Sequence, residues 1–334
     1  MAQYYIKKLG FQELGSPKPD GSVSRGRYIY ISKQFVDFFP HLSRTVTNDA
    51  VVIPIAPFFN NSKVYSWYVY HNDKLNRPDG TRNEYRIYLN KAIDPNRLYQ
   101  PEDIVVFERV IVEDDSLMPV YFMYRFEQTN EHYSELESLV SASKSKGGHA
   151  LFEGNLSFIN SSVLNLDQAE VVIAEDAKLE IEKQQEEILT TEEDNLEEVR
   201  GAHLFNSVSF RDFVLLAYNY KCAITQKVIY WKHLNNLEAA HIQPKAQSGT
   251  FLPCNGIALC RDMHWAFDKG FITITDDFKV EVHTQVKNTI LKEYDGKQIV
   301  VPIDPFFQPA PKFLKHHREK IFGLFQYSGV IRSE

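Results

Sequence analysis

The chain has 334 residues and a formal net charge of -7, and a chain of this length usually forms two domains. Hydrophobic residues make up 43% of it, which excludes a wholly disordered or fibrous protein. No apolar run reaches the roughly 18 residues that cross a bilayer, and the first residues lack the basic-then-apolar order of a secretory signal. Three cysteines cannot build a disulfide framework. We therefore expect a cytoplasmic protein with no membrane partner.

The charge is distributed unevenly along the chain. Residues 1–100 carry 14 Lys and Arg against 8 Asp and Glu, and residues 201–334 carry 16 against 12. Residues 167–200 carry 3 basic against 13 acidic side chains. Two mildly basic regions thus flank an acidic segment, a pattern compatible with a polyanionic partner for the ends of the chain.

The first 145 residues have the pattern of short strands. The β-branched and aromatic runs are residues 28–31, 51–55, 64–70, 85–89 and 104–107. Turn signals such as Pro78-Asp79-Gly80 separate them. Strands at this spacing predict a barrel or pseudobarrel rather than a parallel sheet, and we expect a short helix at residues 32–39.

The second half of the chain changes character twice. Residues 167–199 have the composition of a solvated helix, so we interpret residues 151–200 as an acidic helical linker. After it the pattern predicts a helix at 210–218, strands at 237–242 and 256–260, and a brief helix at 262–268 that ends at Gly270. The predicted fold class is therefore α+β, with a β-rich domain at 1–150, the linker at 151–200 and a second domain at 201–334.

Three polar residues fall within the compact strand–loop–strand–helix unit of the second domain. They are His241 at a strand end, Asn255 across the loop and His264 on the helix. Hydrolysis of a phosphodiester needs a base for the attacking water and a cation against the phosphate. A neutral imidazole can be the base if a partner fixes its orientation and tautomer. The three residues would supply a base, its partner and a metal ligand.

The segments around these residues resemble the HNH nuclease motif. They are residues 237–244 (LEAAHIQP), 255–260 (NGIALC) and 264–270 (HWAFDKG). The variant is similar to a branch found in bacterial restriction-type proteins, and the resemblance extends over about residues 205–325. It implies a ββα-metal finger in which His241 is the general base, Asn255 orients it and His264 binds Mg²⁺ or Mn²⁺.

One position departs from the family pattern. Many HNH nucleases place an Asp or His ligand directly before the base, where this chain has Ala240. Strand alternation puts Glu238 on the same face as Ala240, and Asp268 follows His264 by four residues on the same helical face. One carboxylate is expected to complete the metal site, because a single imidazole holds Mg²⁺ poorly. Both Glu238 and Asp268 stay open for this role.

Other HNH proteins hold a structural zinc with two Cys-x-x-Cys pairs. This chain has only Cys222, Cys254 and Cys260, and none of them forms such a pair. A structural zinc is therefore not expected, and the cysteines are interpreted as small buried residues.

The first domain carries a second, shorter resemblance. Residues 83–109 are similar to the EcoRII-type effector domain, a DNA-binding pseudobarrel. Arginine side chains suit bidentate contacts with guanine edges and phosphates. The candidate DNA contacts near predicted turns and strand ends are Arg25, Arg27, Lys33, Arg77, Arg82 and Arg86. The alternative is an ordinary β-barrel whose arginines are solvated.

Together the two resemblances imply an endonuclease of restriction type that acts on double-stranded DNA. Residues 1–150 would recognise a site, and residues 201–334 would hydrolyse a phosphodiester with one divalent metal. One finger positions one strand, so double-strand cleavage is expected to need a homodimer. Two alternatives are a modification-dependent or non-specific HNH nuclease or effector, and a DNA-binding regulator that does not cleave.

Overall fold

The computed structural model describes residues 2–15, 27–72, 83–111, 119–160, 169–190, 207–231 and 234–325. The chain packs as two compact units, Met1–Leu204 and Phe205–Glu334. The fold is α+β, with a curled β half-barrel in the first unit and a small strand–strand–helix core in the second. Within the described ranges, no helix has both the length and the apolar character that a bilayer span requires.

The first unit is built on one large sheet. Its strands are β1 (Ala2–Lys8), β2 (Tyr28–Ile31), β3 (Ala50–Pro57), β4 (Ser62–His71), β5 (Glu84–Tyr88), β6 (Ile104–Ile111), β7 (Pro119–Phe126), β8 (His149–Gly154) and β9 (Glu170–Ile173). Helix α1 (Tyr133–Ala142) lies between β7 and β8, and helix α2 (Glu175–Thr190) follows β9. The strand order is β2-β5-β4-β3-β7-β6-β1-β8, with β9 added to β4. Pairing is antiparallel except for β3 with β7 and β4 with β9, which are parallel.

Alternating side chains and buried aromatic rings explain this sheet. In β5, Tyr85 and Ile87 are buried, whereas Glu84, Arg86 and Tyr88 lie on the other, half-buried face. The largest fully buried side chains of the unit are aromatic and include Tyr5, Tyr65, Tyr68, Tyr99, Tyr121, Phe107 and Phe122. Each such ring buries a large apolar area. The tyrosines of β4 are therefore core residues and not platforms for base stacking.

The sequence patterns located β2 to β6 and the acidic helix, but not every element. The helix expected at residues 32–39 is only a 3-10 turn at Val36–Phe38. Pro40 follows it, and a residue before proline is disfavoured in the α region; Phe39 accordingly has extended backbone angles. The span 151–200 contains α2, but it also contributes most of β8 and all of β9, which pair with β1 and β4. These strands make that span part of the first unit.

The second unit consists of short elements. They are α3 (Ser207–Ala217), β10 (Tyr230–Trp231), β11 (Leu234–Asn235), β12 (Leu237–His241), β13 (Gly256–Cys260), α4 (Arg261–Asp268), β14 (Ile272–Ile274), β15 (Val280–Val282) and α5 (Pro311–Lys320). Consecutive strands pair as three antiparallel ribbons. Gly270 ends α4 as predicted, with a φ of +72°, and its N–H donates to the Phe267 carbonyl at 2.9 Å.

Helix α5 braces α4 through a buried histidine. The His317 ring is stacked on Phe267 with centroids 3.6 Å apart. Its Nδ1 lies 2.8 Å from the Thr273 hydroxyl, and its Nε2 lies 3.1 Å from the Phe267 carbonyl oxygen. Burial lowers the pKa of His317 to about 3, so the neutral ring donates from Nε2 and accepts at Nδ1. Both ring nitrogens have partners, so His317 is a packing residue of the second unit.

Candidate functional site

Strand pairing brings the predicted residues to one place. In the ribbon of β12 and β13, His241 pairs with Gly256 and Glu238 pairs with Leu259. Asn255 therefore lies beside the end of β12, although fourteen residues separate it from His241. Helix α4 begins directly after β13 and carries His264 in its first turns. The observed strand–loop–strand–helix order matches the order predicted from the sequence.

The loop between the two strands is closed by Asn255. This side chain is fully buried. Its Oδ1 accepts a hydrogen bond from the Gln243 N–H at 2.8 Å, and its Nδ2 donates to the carbonyls of Gln243 and Thr250 at 3.0 and 2.9 Å. Within the part of the chain that the structure describes, the hydrogen bonds of this amide go to backbone groups and none goes to the His241 ring. Asn255 thus fixes the path of the loop next to His241, which differs from the direct contact that the resemblance implies.

The His241 ring lies between two aromatic side chains. It is stacked on Phe210 of α3, with centroids 4.1 Å apart and an interplanar angle of 20°, and it meets Phe251 edge-on at 5.3 Å. Its Nε2 is buried and has no hydrogen-bond partner among the described residues. Burial, together with the charges of His264 and Lys245, lowers the pKa of His241 to about 4. The imidazole is therefore neutral near pH 7 and can accept a proton.

Two carboxylates flank the ring of His264. Glu238 Oε2 lies 2.7 Å from His264 Nδ1, and Asp268 Oδ2 lies 3.3 Å from Nε2 of the same ring. Glu238 also accepts a hydrogen bond from Arg261 at 3.1 Å. Partial burial raises the pKa of Asp268, and the charges of His264 and Lys269 oppose that rise. The structure thus brings both candidate ligands to His264, but on opposite ring nitrogens.

This arrangement fits a cation with few protein ligands. Among the described residues, no group of three His, Cys, Asp or Glu side chains could hold a metal ion by itself. Mg²⁺ usually keeps several waters and takes one or two protein carboxylates together with substrate phosphates, so a closed protein cage is not required. One nitrogen of His264 with one flanking carboxylate fits such a site. The carboxylate on the other nitrogen would then orient the imidazole.

The candidate DNA contacts of the first unit have different surroundings. The Arg27 guanidinium pairs with Asp94, with Nε 2.6 Å from Oδ2, and donates to two backbone carbonyls. Arg86 pairs with Glu84 and lies 3.9 Å from the centroid of the Tyr28 ring. Both arginines therefore have internal partners that hold the half-barrel together. Lys33 is exposed. The remaining candidates, Arg25, Arg77 and Arg82, lie outside the described residues.

Three residues near His241 were not singled out by the sequence patterns. The sequence predicts a helix at Phe210 and a loop at Phe251, and it indicates no role at the site for either ring. Lys245 is exposed and lies in the same loop, with its ammonium 4.8 Å from the centroid of Phe251. Only the high aromatic content near the motif could have pointed to the two rings, because sequence spacing does not show which rings touch across elements.

Three solved structures show similarity to this chain at low identity. A structure titled "Modification dependent TagI restriction endonuclease" is 22% identical with a TM-score of 0.29, and the match covers 37% of this chain and 41% of that one. The N-terminal domain of Helicobacter pylori LlaJI.R1 is 16% identical with a TM-score of 0.30, covering 46% and 99%. The UbaLAI restriction endonuclease B3 domain with cognate DNA is 14% identical with a TM-score of 0.29, covering 45% and 87%. This chain thus spans less than half of the length of the TagI enzyme.

A family match falls on the site itself. No curated protein is significantly similar to the chain. Residues 222–275 match the sequence profile of the HNH_2 family, described as HNH endonuclease. This range contains β12, β13 and α4, and with them His241, Asn255 and His264. Residues 222–275 are therefore similar to HNH endonucleases over the segment that carries the site described above.

Proposed function

We propose that the protein is a metal-dependent DNA endonuclease of restriction type, in which the first unit binds double-stranded DNA and the second hydrolyses a phosphodiester. One observation carries the proposal. A neutral His241 packs against aromatic rings in the same strand–strand–helix unit as His264, and the carboxylates of Glu238 and Asp268 contact the His264 ring. A proton acceptor beside a cation-binding group is what phosphodiester hydrolysis requires.

We assign His241 as the base that takes a proton from the attacking water. Its Nε2 is buried, so Nδ1 is the nitrogen that we assign to contact with the water. A neutral imidazole takes the proton as the water oxygen attacks phosphorus. Bound DNA places a negative phosphate near the ring, and this charge raises the pKa of His241 from its low value in the free protein. The base therefore becomes stronger when substrate is present.

We assign the divalent cation, Mg²⁺ or Mn²⁺, to His264 Nε2 and Asp268. Glu238 is already the closer partner of Nδ1 and shares Arg261, so it suits the role of orienting the ring. Burial is the largest cause of the raised pKa of Asp268, and a bound cation would oppose that rise. When bound, the cation offsets charge on the phosphate and on the departing oxygen.

The oligomeric state follows from the number of sites. The described residues of the second unit contain one such constellation, and one constellation positions one DNA strand. Cleavage of both strands at a site therefore favours a homodimer, whose two-fold axis would match a symmetric recognition sequence.

The proposed activity predicts discrete DNA fragments. Purified full-length protein is incubated with phage DNA, methylated or unmethylated, together with Mg²⁺ or Mn²⁺. We expect discrete bands in the presence of metal and intact DNA in the presence of EDTA. Cleavage of only the methylated DNA would assign the protein to modification-dependent nucleases, and smears would indicate a non-specific one. Intact DNA with every cation and both substrates would contradict the proposal.

The pH dependence of cleavage should reflect the buried base. Because the pKa of His241 is lowered to about 4, we expect kcat/KM at saturating metal to persist below pH 6.5, the ordinary value for histidine. Between these values the unfolded chain binds more protons at this site than the folded one, so the free energy of unfolding falls as the pH decreases. Circular dichroism at each pH separates this unfolding from loss of chemistry. An acid limb centred near pH 6.5 in the folded protein would show that the ring is solvated, contrary to the structure.

A further inference from the structure

We propose that Phe210 is the positioning residue that holds the His241 ring in its reactive orientation, a role that the family resemblance gives to Asn255. This inference rests on the proposed function, in which His241 takes the proton of the attacking water. It also extends the catalytic unit to helix α3, because Phe210 lies before residues 222–275, the range that matches the HNH family.

The contact between the two rings is close and nearly parallel. Their centroids are 4.1 Å apart at an interplanar angle of 20°, and Phe210 is only 2% exposed. Phe251 meets the same imidazole edge-on at 67°, so the ring is bounded on a face and on an edge. A planar ring packed in this way has little freedom to rotate about its χ2 angle. Packing therefore fixes the plane of the His241 ring.

Among the described residues, Asn255 makes no hydrogen bond to the His241 ring. Its amide makes three hydrogen bonds to the backbone at Gln243 and Thr250, which use both donors of its Nδ2 and one acceptor site of its Oδ1. Its contribution is to hold the loop that carries Phe251. The orientation of the imidazole then depends on the aromatic rings.

Gly256 independently supports the proposed contact of Phe210 with His241. It has a φ of -123° and a ψ of 144°, which any residue can adopt, so its backbone does not require glycine. The reason is space: a Cβ at Gly256 would lie 2.9 Å from the Phe210 ring and 2.3 Å from Val214 Cγ2. Gly256 is also the residue paired with His241 across the ribbon. The missing side chain on β13 is what allows Phe210 to pass over this strand and reach the imidazole.

The decisive variant is Phe210→Leu in the full-length protein. We expect kcat for DNA cleavage to fall roughly 10- to 100-fold with little change in KM, because a misplaced base impairs chemistry and not DNA binding. Phe213→Leu is the matched control, since it makes the same change at a fully buried position of the same helix. Phe210→Met is the second variant, because methionine fills the space without a planar ring. Thermal unfolding of all three separates loss of fold from loss of orientation.

A second readout does not depend on cleavage or on metal. In the wild-type protein, stacking on Phe210 should shift the His241 ring protons upfield in the NMR spectrum, with the signals assigned by their loss in His241→Ala. Both Phe210 variants should move these signals downfield, and Phe213→Leu should not. Wild-type cleavage rates in folded Phe210→Leu and Phe210→Met, or unmoved signals, would overturn the inference. Absence of cleavage by the wild-type protein would instead contradict the proposed function and leave the NMR comparison as the test of the stacking.

Discussion

Replacing His241 with alanine is expected to eliminate detectable DNA cleavage while DNA binding persists. The imidazole is the proton acceptor in the proposed reaction, and loss of a general base typically lowers the rate by roughly 10²- to 10⁴-fold. At Nε2 the change removes no hydrogen bond to a described residue. The measurement is single-turnover cleavage of a labelled duplex with saturating Mn²⁺, with binding followed by gel shift in Ca²⁺ or EDTA.

His283→Ala is the matched control for this experiment. His283 lies in the same unit, where its ring packs against Phe322 and Phe325 and it caps a short 3-10 helix. It should cleave at close to the wild-type rate. If His241→Ala retained cleavage within a few-fold of wild type, His241 could not be the base, and the proposed mechanism would fail at its first step.

Much of this site could be predicted from the sequence because its parts are local. The two strands, the loop and α4 are contiguous, and β12 pairs with β13 as an antiparallel ribbon. The positions of His241 and His264 follow from that frame. Strand alternation and helical periodicity also identified Glu238 and Asp268 as candidates, because both rules act over a few residues.

The contacts that depend on distant or multiple partners could not be predicted in this way. The stack of Phe210 on His241 joins α3 to β12 across space. The use of the Asn255 amide by the backbone depends on the exact path of an irregular loop. In the first unit, the predicted strand ends placed Arg27 and Arg86 among DNA contacts. Tertiary packing gives both half-buried arginines internal partners, which the strand pattern does not show.

Replacing His264 with alanine is the second change for which we expect a complete loss of cleavage. Its ring is the shared partner of Glu238 and Asp268, and its removal leaves two carboxylates near each other without a cationic or hydrogen-bonding group between them. Metal binding should weaken with the loss of the ligand. We therefore expect the rise in Tm on addition of Mn²⁺ to disappear, because that rise measures binding to the folded state.

The two carboxylates should then differ in the same assay, because the proposal gives them different roles. Asp268→Asn removes a proposed ligand and should abolish the Mn²⁺-dependent rise in Tm, as His264→Ala does. Glu238→Gln can still form a hydrogen bond to His264 Nδ1, so its Mn²⁺ affinity should fall by no more than roughly 10- to 100-fold, the range for residues that orient a ligand. If Glu238→Gln abolished the rise in Tm and Asp268→Asn did not, the cation would lie on the Glu238 side of the ring. If all three variants kept the wild-type Mn²⁺-dependent rise in Tm, His264 would not be a metal ligand. The ion would then bind without the His264 ring and without either carboxylate.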